Sequence, residues 1–329
     1  MRGVDLNVFR FNYDLTLAVL LMHADGTIYT NYSGRDATDA SSHQSTSSLA
    51  RVLRETFKVH QRYSKSPAPP PVQPAKTVEK LPWFQNHKQP KCFHCHNIHD
   101  AFQWQGRTTK TWSDQDQYTW PDPDQIGLRL DREGQVVAAA VRKDSPAARA
   151  GLRKGDRVVS VNRQPTRAFG DVQVALNAVP WGKARVPVVW MRGAKKHAAV
   201  LELPQSWKRP TPEQYAWRPM KWPMPPMPGF GGRPLSVEER RAAGLKADNF
   251  AFRVGYIVTW GPNRATGHNA QRAGIRKGMV VHGVDGKTDF RDMNHFHAWF
   301  RMTRTPGRPV MVAVIQNGTQ RTLSLTPLR

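Results

Sequence analysis

Residues 15–22, LTLAVLLM, form an unbroken apolar run, followed by HADG and then TIYTNYSG. A short run of this kind bounded by turn residues predicts a buried strand, a turn at Gly26 and a second strand. Over residues 44–63, Leu49, Val52, Leu53 and Phe57 recur at helical spacing, which predicts a helix with those four on one face. Two strands and a helix in about 60 residues bury little core of their own. Residues 64–82, SKSPAPPPVQPAKTVEKLP, read as a proline-rich linker, extended and partly polyproline II. Residues 83–121 are polar and aromatic with little periodicity.

The pattern then repeats. RAGLRKG at 149–155 returns as RAGIRKG at 272–278. Each copy leads into an apolar strand, a helical stretch (GDVQVALNAV or DMNHFHAWFRM) and two strands joined by a turn. Self-similarity of this length predicts two copies of one domain type, over 122–203 and 249–329. Between them, 204–248 reads as a linker rich in Pro, Trp and Met, ending in a short helix from Ser236. Ser236 with Glu239 fits a capping box.

Composition narrows the partners. The 329 residues carry a formal charge of +24, which attracts polyanions. The Lys and Arg are scattered over all segments, so specific nucleic-acid binding is not expected, only weak association with anionic surfaces. Two cysteines exclude a disulfide scaffold. No apolar stretch reaches 18 residues, so no transmembrane helix is expected. The first residues lack the features of a signal peptide: LTLAVLL is short, follows Asp14 and has no small-residue cleavage site.

Both cysteines fall in KCFHCHNIHD, residues 91–100. Cys-x-x-Cys-His is the pattern for covalent haem: Cys92 and Cys95 would form the thioethers and His96 would bind the iron. Haem c is the first reading. Zinc is the alternative, on Cys92 and Cys95 with His99 and a distant ligand such as His87. A redox disulfide and an inert turn complete the set. For the sixth haem position the sequence offers His87, His94, Met220, Met224, His295 and His297. Trp83, Trp104, Trp112 and Trp120 could wall a haem or simply supply hydrophobic contact. No Gly-x-Ser-Gly-Gly nucleophile loop exists; Ser33-Gly34 and Ser145-Pro146 read as turns, so hydrolysis is not expected.

SPAARAGLRKGDRVVSVNRQP, residues 145–165, resembles the PDZ domains of bacteria. The resemblance implies capture of an extended peptide or protein C-terminus as an added strand. It places the carboxylate loop at QIGLRLD, with Ile126, Gly127 and Leu128 as the binding positions and the helix at 170–179 as the other wall. The second copy resembles the same family less closely. Its equivalent loop is sought near FAFRV, 250–254, without the glycine, and Met279 stands where the first copy has the turn residue Asp156. Such PDZ pairs accompany HtrA-type serine proteases, whose protease domain is absent here.

YDLTLAVLLMHADGTIYTNYSGRD resembles the second half of a thioredoxin-like domain, with Leu15 at the place of the usual cis-proline. The whole chain is similar to a bacterial family that joins a thioredoxin-like domain, a Cys-x-x-Cys-His segment and PDZ repeats. The fold expected is multidomain α+β: a truncated thioredoxin-like α/β fragment (1–63) and two PDZ-like β-barrel or sandwich domains joined by Pro-rich linkers. The resemblance implies a periplasmic or other extracytoplasmic protein whose signal and redox cysteines lie upstream of Met1. It would serve redox, electron transfer or sensing, docked through its PDZ grooves. Two other functions stay open: a non-enzymatic peptide-binding scaffold with structural cysteines, and a thiol–disulfide oxidoreductase lacking its N-terminal active site.

Overall fold

The computed structural model describes residues 1–36, 39–63, 74–86, 94–210 and 225–328. The chain forms two compact units: 1–105 with 115–218, and 106–114 with 219–329.

The first unit opens with the expected hairpin, β1 (Ala18–Met22) against β2 (Ile28–Ser33). Its turn closes through His23 and Thr27, with Gly26 at positive φ. Helix α1 (Thr46–Arg62) starts at Ser45, whose hydroxyl accepts the Ser48 amide, one of the donors that a helix start leaves unpaired. The predicted apolar face of α1 is only half used. Val52 is fully buried, beside Tyr32 and Ala168, while Leu53 and Phe57 are exposed. Helix periodicity defines a face; it does not supply a cover for it.

Two further helices, α2 (Pro82–Asn86) and α3 (Cys95–Thr108), follow. Residues 106–114 go with the second unit, and the described residues on either side of them go with the first. Phe84, Ile98, Ala101 and Trp120 share one core with Leu6, Phe11 and Tyr13.

The first repeat begins with a single 3-10 turn, Pro123–Ile126, capped by Asp122 and ended by Gly127 in the left-handed region. Then come β3 (Leu128–Leu130), β4 (Ala138–Val141), α4 (Pro146–Arg149), β5 (Arg157–Val161), β6 (Gln164–Pro165), α5 (Phe169–Asn177), β7 (Ala184–Arg192) and β8 (Lys195–Leu203). The strands make two antiparallel sheets, β3–β4 and β6-β5-β7-β8. Val158, Val161, Phe169, Leu176 and Val188 lie in the core they enclose.

The second unit holds β9 (Phe230–Pro234), α6 (Val237–Ala242), β10 (Phe252–Ile257), α7 (Arg264–Arg272), β11 (Val280–Val284), α8 (Met293–Thr303), β12 (Val310–Gln316) and β13 (Thr319–Leu325). They form one antiparallel sheet in the order β13-β12-β11-β10-β9. Ser236 caps α6 and Glu239 completes the box, as the sequence predicts. Two expectations are corrected. Among the described residues neither repeat is a closed barrel, since each sheet ends in strands paired on one side only. The sheet of the second repeat also begins at Phe230, inside the stretch read as a linker.

Candidate functional site

The sequence places peptide capture at Ile126, Gly127 and Leu128. Gly127 has φ +81°, and a Cβ there would fall inside the Ser145 side chain that caps α4. Only glycine fits such a close approach. Its amide donates to the Asp124 carbonyl at 2.9 Å and its carbonyl accepts the Arg142 amide at 2.9 Å. Ile126 and Leu128 point into the core, each 1% exposed. These three residues therefore shape the loop and present backbone; their side chains line nothing open. Among the described strands only β4 pairs with β3, so one edge of β3 makes no ladder.

The same construction stands at the head of β9. Gly229 also has φ +81°, a Cβ on it would fall on the Thr266 carbonyl of α7, and its own carbonyl accepts the Val258 amide at 2.8 Å. The loop glycine of the second repeat is thus at 229. Residues 250–254, where it was sought, run into the interior strand β10. The signal was present in PGFGG, but α6 and its flanks separate it from the rest of the repeat. In the turn after RAGIRKG, Met279 stands in for an acid. Asp156 Oδ2 accepts the Arg153 amide at 2.7 Å, and Met279 Sδ lies 3.3 Å from the equivalent Arg276 amide.

The helix walls differ. Counted from the buried pairs Val172/Leu176 and Phe296/Phe300, positions 173 and 177 of α5 match 297 and 301 of α8. In the first repeat both are occupied by the chain itself. Gln173 Nε2 donates to the Trp120 carbonyl at 3.3 Å, and Asn177 Oδ1 accepts the Trp120 amide at 2.8 Å. The start of α5 is covered as well. A Cβ on Gly170 would strike Ser33 Oγ and the Asn31 carbonyl. Asp171 accepts hydrogen bonds from the Thr30 hydroxyl (2.7 Å) and the amides of Asn31 (2.7 Å), Arg167 (2.8 Å) and Ala168 (3.0 Å). Burial pushes its carboxyl up, while these donors pull it down. The His43 ring stacks on Phe169 at 3.7 Å, and burial pushes its imidazole down to about 4, so it is neutral. Gln135 links the two, donating to the His43 carbonyl (2.8 Å) and accepting the Phe169 amide (3.2 Å).

In the second repeat, α8 brings His297 and Arg301 toward β9. His297 Nε2 lies 3.2 Å from the place of a Cβ on Gly231, close to the Tyr256 hydroxyl. Arg301 is buried, which lowers its guanidinium to about 10, and Tyr256 lies near enough to oppose that shift. His295 lies elsewhere on α8, where its Nε2 meets Asp114 at 3.4 Å.

Of the Cys-x-x-Cys-His segment, Cys92 lies outside the described residues, as do His87, Met220 and Met224. Cys95 opens α3, half-buried against the core around Ile98 and Trp120. His96 is exposed and stacked on His94 at 5.6 Å. His99 lies 3.4 Å from Gln103. With Cys92 outside the described residues, the Cys-x-x-Cys-His set is described only in part, and that part shows no haem site. Among the described residues no group of three or more His, Cys, Asp or Glu is placed to hold a metal ion; the zinc set proposed on Cys92, Cys95, His99 and His87 has two members outside those residues.

Residues 137–180, from β4 to the turn after α5, match the family model described as PDZ domain. The chain carries a PDZ domain. Over 57 residues it is 35% identical to the periplasmic serine endoprotease DegP of Salmonella typhimurium, covering 16% of this chain and 12% of that protein. The chain thus spans about an eighth of this relative's length. The HtrA-type protease AlgW with a decapeptide overlays 53% of this chain and 54% of its own at 13% identity, with a TM-score of 0.25. A variant of AlgW with a tripeptide overlays 31% of each chain at 19% identity and 0.24. Scores that low carry no argument about fold or site. The thioredoxin likeness of residues 1–63 gains no support: the hairpin and α1 pack on the PDZ domain as its cover. No described helix is long and apolar enough to cross a membrane.

Proposed function

We propose that this chain is an extracytoplasmic peptide-capture protein, working by strand addition at the head of β3 and of β9. One observation carries the reading: two glycines 102 residues apart, Gly127 and Gly229, both have φ +81°, one wedged against the Ser145 cap of α4 and the other against Thr266 in the first turn of α7, and each opens an edge strand. A strand edge offers amides and carbonyls to an extended peptide, and the loop at its head offers amides to a terminal carboxylate. The likeness to DegP over 57 residues favours the same reading and the same compartment. The second edge is the more accessible in this scheme, because Gln173 and Asn177 already hold Trp120 in the first.

Fluorescence anisotropy with labelled decapeptides tests it. A peptide with a free C-terminus binds saturably, and its C-terminal amide binds at least tenfold more weakly. Equal binding of the two, or no saturable binding, overturns the proposal.

A further inference from the structure

The hairpin and α1 leave a surface that neither repeat uses. A cavity of about 650 Å³ lies between β1 and α1, lined by Leu20, Leu21, Met22, Leu53, Arg54 and Phe57 among others. Phe57 is 58% exposed, Leu53 45% and Met22 38%. Single exposed apolar residues are ordinary, but a contiguous patch marks a binding surface. The strand beneath is unusual for an edge. AVLLM has no charge at any position, and its first four residues are half-buried, Val19 and Leu21 against the core of Tyr32 and Val52, Ala18 and Leu20 against that of Phe11 and Ile98. Yet among the described residues it pairs only with β2. An apolar edge with unmade ladder bonds is a template for another strand.

Charge selects the occupant. Glu55, the one acid of α1, is already paired with Arg51 at 3.1 Å and Arg157 at 2.7 Å. Arg54, Lys58 and Arg62 have no ion-pair partner among the described residues. A second copy of the chain would bring the same cations to the same place. An acidic segment would meet them favourably.

We propose that this cavity takes an extended acidic peptide segment of another protein, laid along β1 as a third strand. Its side chains on the α1 side are by turns apolar, facing Leu53 and Phe57, and acidic, reaching Arg54 and Lys58. Side chains alternate across a strand, so only every second residue meets α1, and a Val–Ser–Glu–Ser repeat is the simplest sequence of this kind.

The probe is a labelled twelve-residue peptide of the Val–Ser–Glu–Ser repeat, acetylated and amidated. With no free carboxylate it does not report on the capture proposed at β3 and β9, so the two readings fail separately. Fluorescence anisotropy on the full chain shows saturable binding that weakens at least tenfold in Phe57→Asp and in Arg54→Glu, and also on raising salt. Both variants sit on exposed positions, and circular dichroism confirms their fold. The same peptide with Lys in place of Glu binds at least tenfold more weakly. Absent binding, equal binding of the Lys peptide, or binding unchanged in Phe57→Asp overturns the proposal. So does sedimentation as a dimer that Phe57→Asp dissociates, which would make a second copy the occupant.

Discussion

The carboxylate of Asp171 accepts the amide of Asn31 at 2.7 Å, across 140 residues of sequence. The contact ties the N-terminal hairpin to the helix of the PDZ domain. Asp171→Ala leaves the Thr30 hydroxyl and three amides without their acceptor, which costs about 1–3 kcal/mol when such groups are buried. Urea unfolding of the variant measures it; a change below about 0.5 kcal/mol would sink the assignment.

Gly170 sits one residue away. Replacing glycine by alanine ordinarily stabilises a helix, by about 0.5–1 kcal/mol in its middle and less at the second position, which Gly170 holds in α5. Here the sign reverses, because the added methyl meets Ser33 Oγ and the Asn31 carbonyl. Gly170→Ala lowers the melting temperature, and trypsin cuts within residues 1–63 faster than in the parent. A raised melting temperature would mean that the hairpin lies elsewhere.

Asp100 on α3 gives a pH signature. Burial, with the charge of Asp14 adding, pushes its carboxyl up to about 8 against the Asn97 hydrogen bond. An acid raised by folding favours the folded state while protonated, so its contribution is full below about pH 4 and is lost as pH rises toward 8. Asp100→Asn keeps a neutral side chain throughout. The melting temperature of the variant gains on the parent steadily from pH 5 to pH 8. A constant difference over that range contradicts the buried acid.

Three positive-φ glycines separate space from conformation. Gly127 and Gly229 have no room for a Cβ, while nothing lies within 4 Å of one on Gly155 (φ +88°). Asparagine tolerates the left-handed region. Gly155→Asn therefore stays within about 0.5 kcal/mol of the parent, as surface changes usually do. Gly127→Asn and Gly229→Asn each lose about 1–3 kcal/mol by overpacking. Equal losses at all three sites would show that backbone strain alone decides.

The repeat was legible because its determinants are local. In RAGLRKG and RAGIRKG the spacing of the glycines fixes helix end and turn. Gly151 and Gly274 share φ +94°, and Gly155 and Gly278 have +88° and +86°. The second loop glycine escaped because α6 is inserted between β9 and β10, so the copies fall out of step there. What covers α5 was not legible at all. Asn31, Ser33 and His43 carry no pattern that names Gly170 or Phe169 as partner, since side chains far apart in sequence meet only through the fold. Leu53 and Phe57 show the converse: their spacing is that of a buried face, and burial did not follow.

The covering of α5 bears on how the PDZ domain could have travelled. A module that closes its own surface can be cut out and joined to new neighbours without loss. Severed near residue 121, this one would give up the hydrogen bonds of Gln173 and Asn177 to Trp120, the stacking of Phe169, and the hairpin laid over Gly170. The first repeat has become a resident of this chain, and any change to residues 28–48 is a change to the PDZ domain as well.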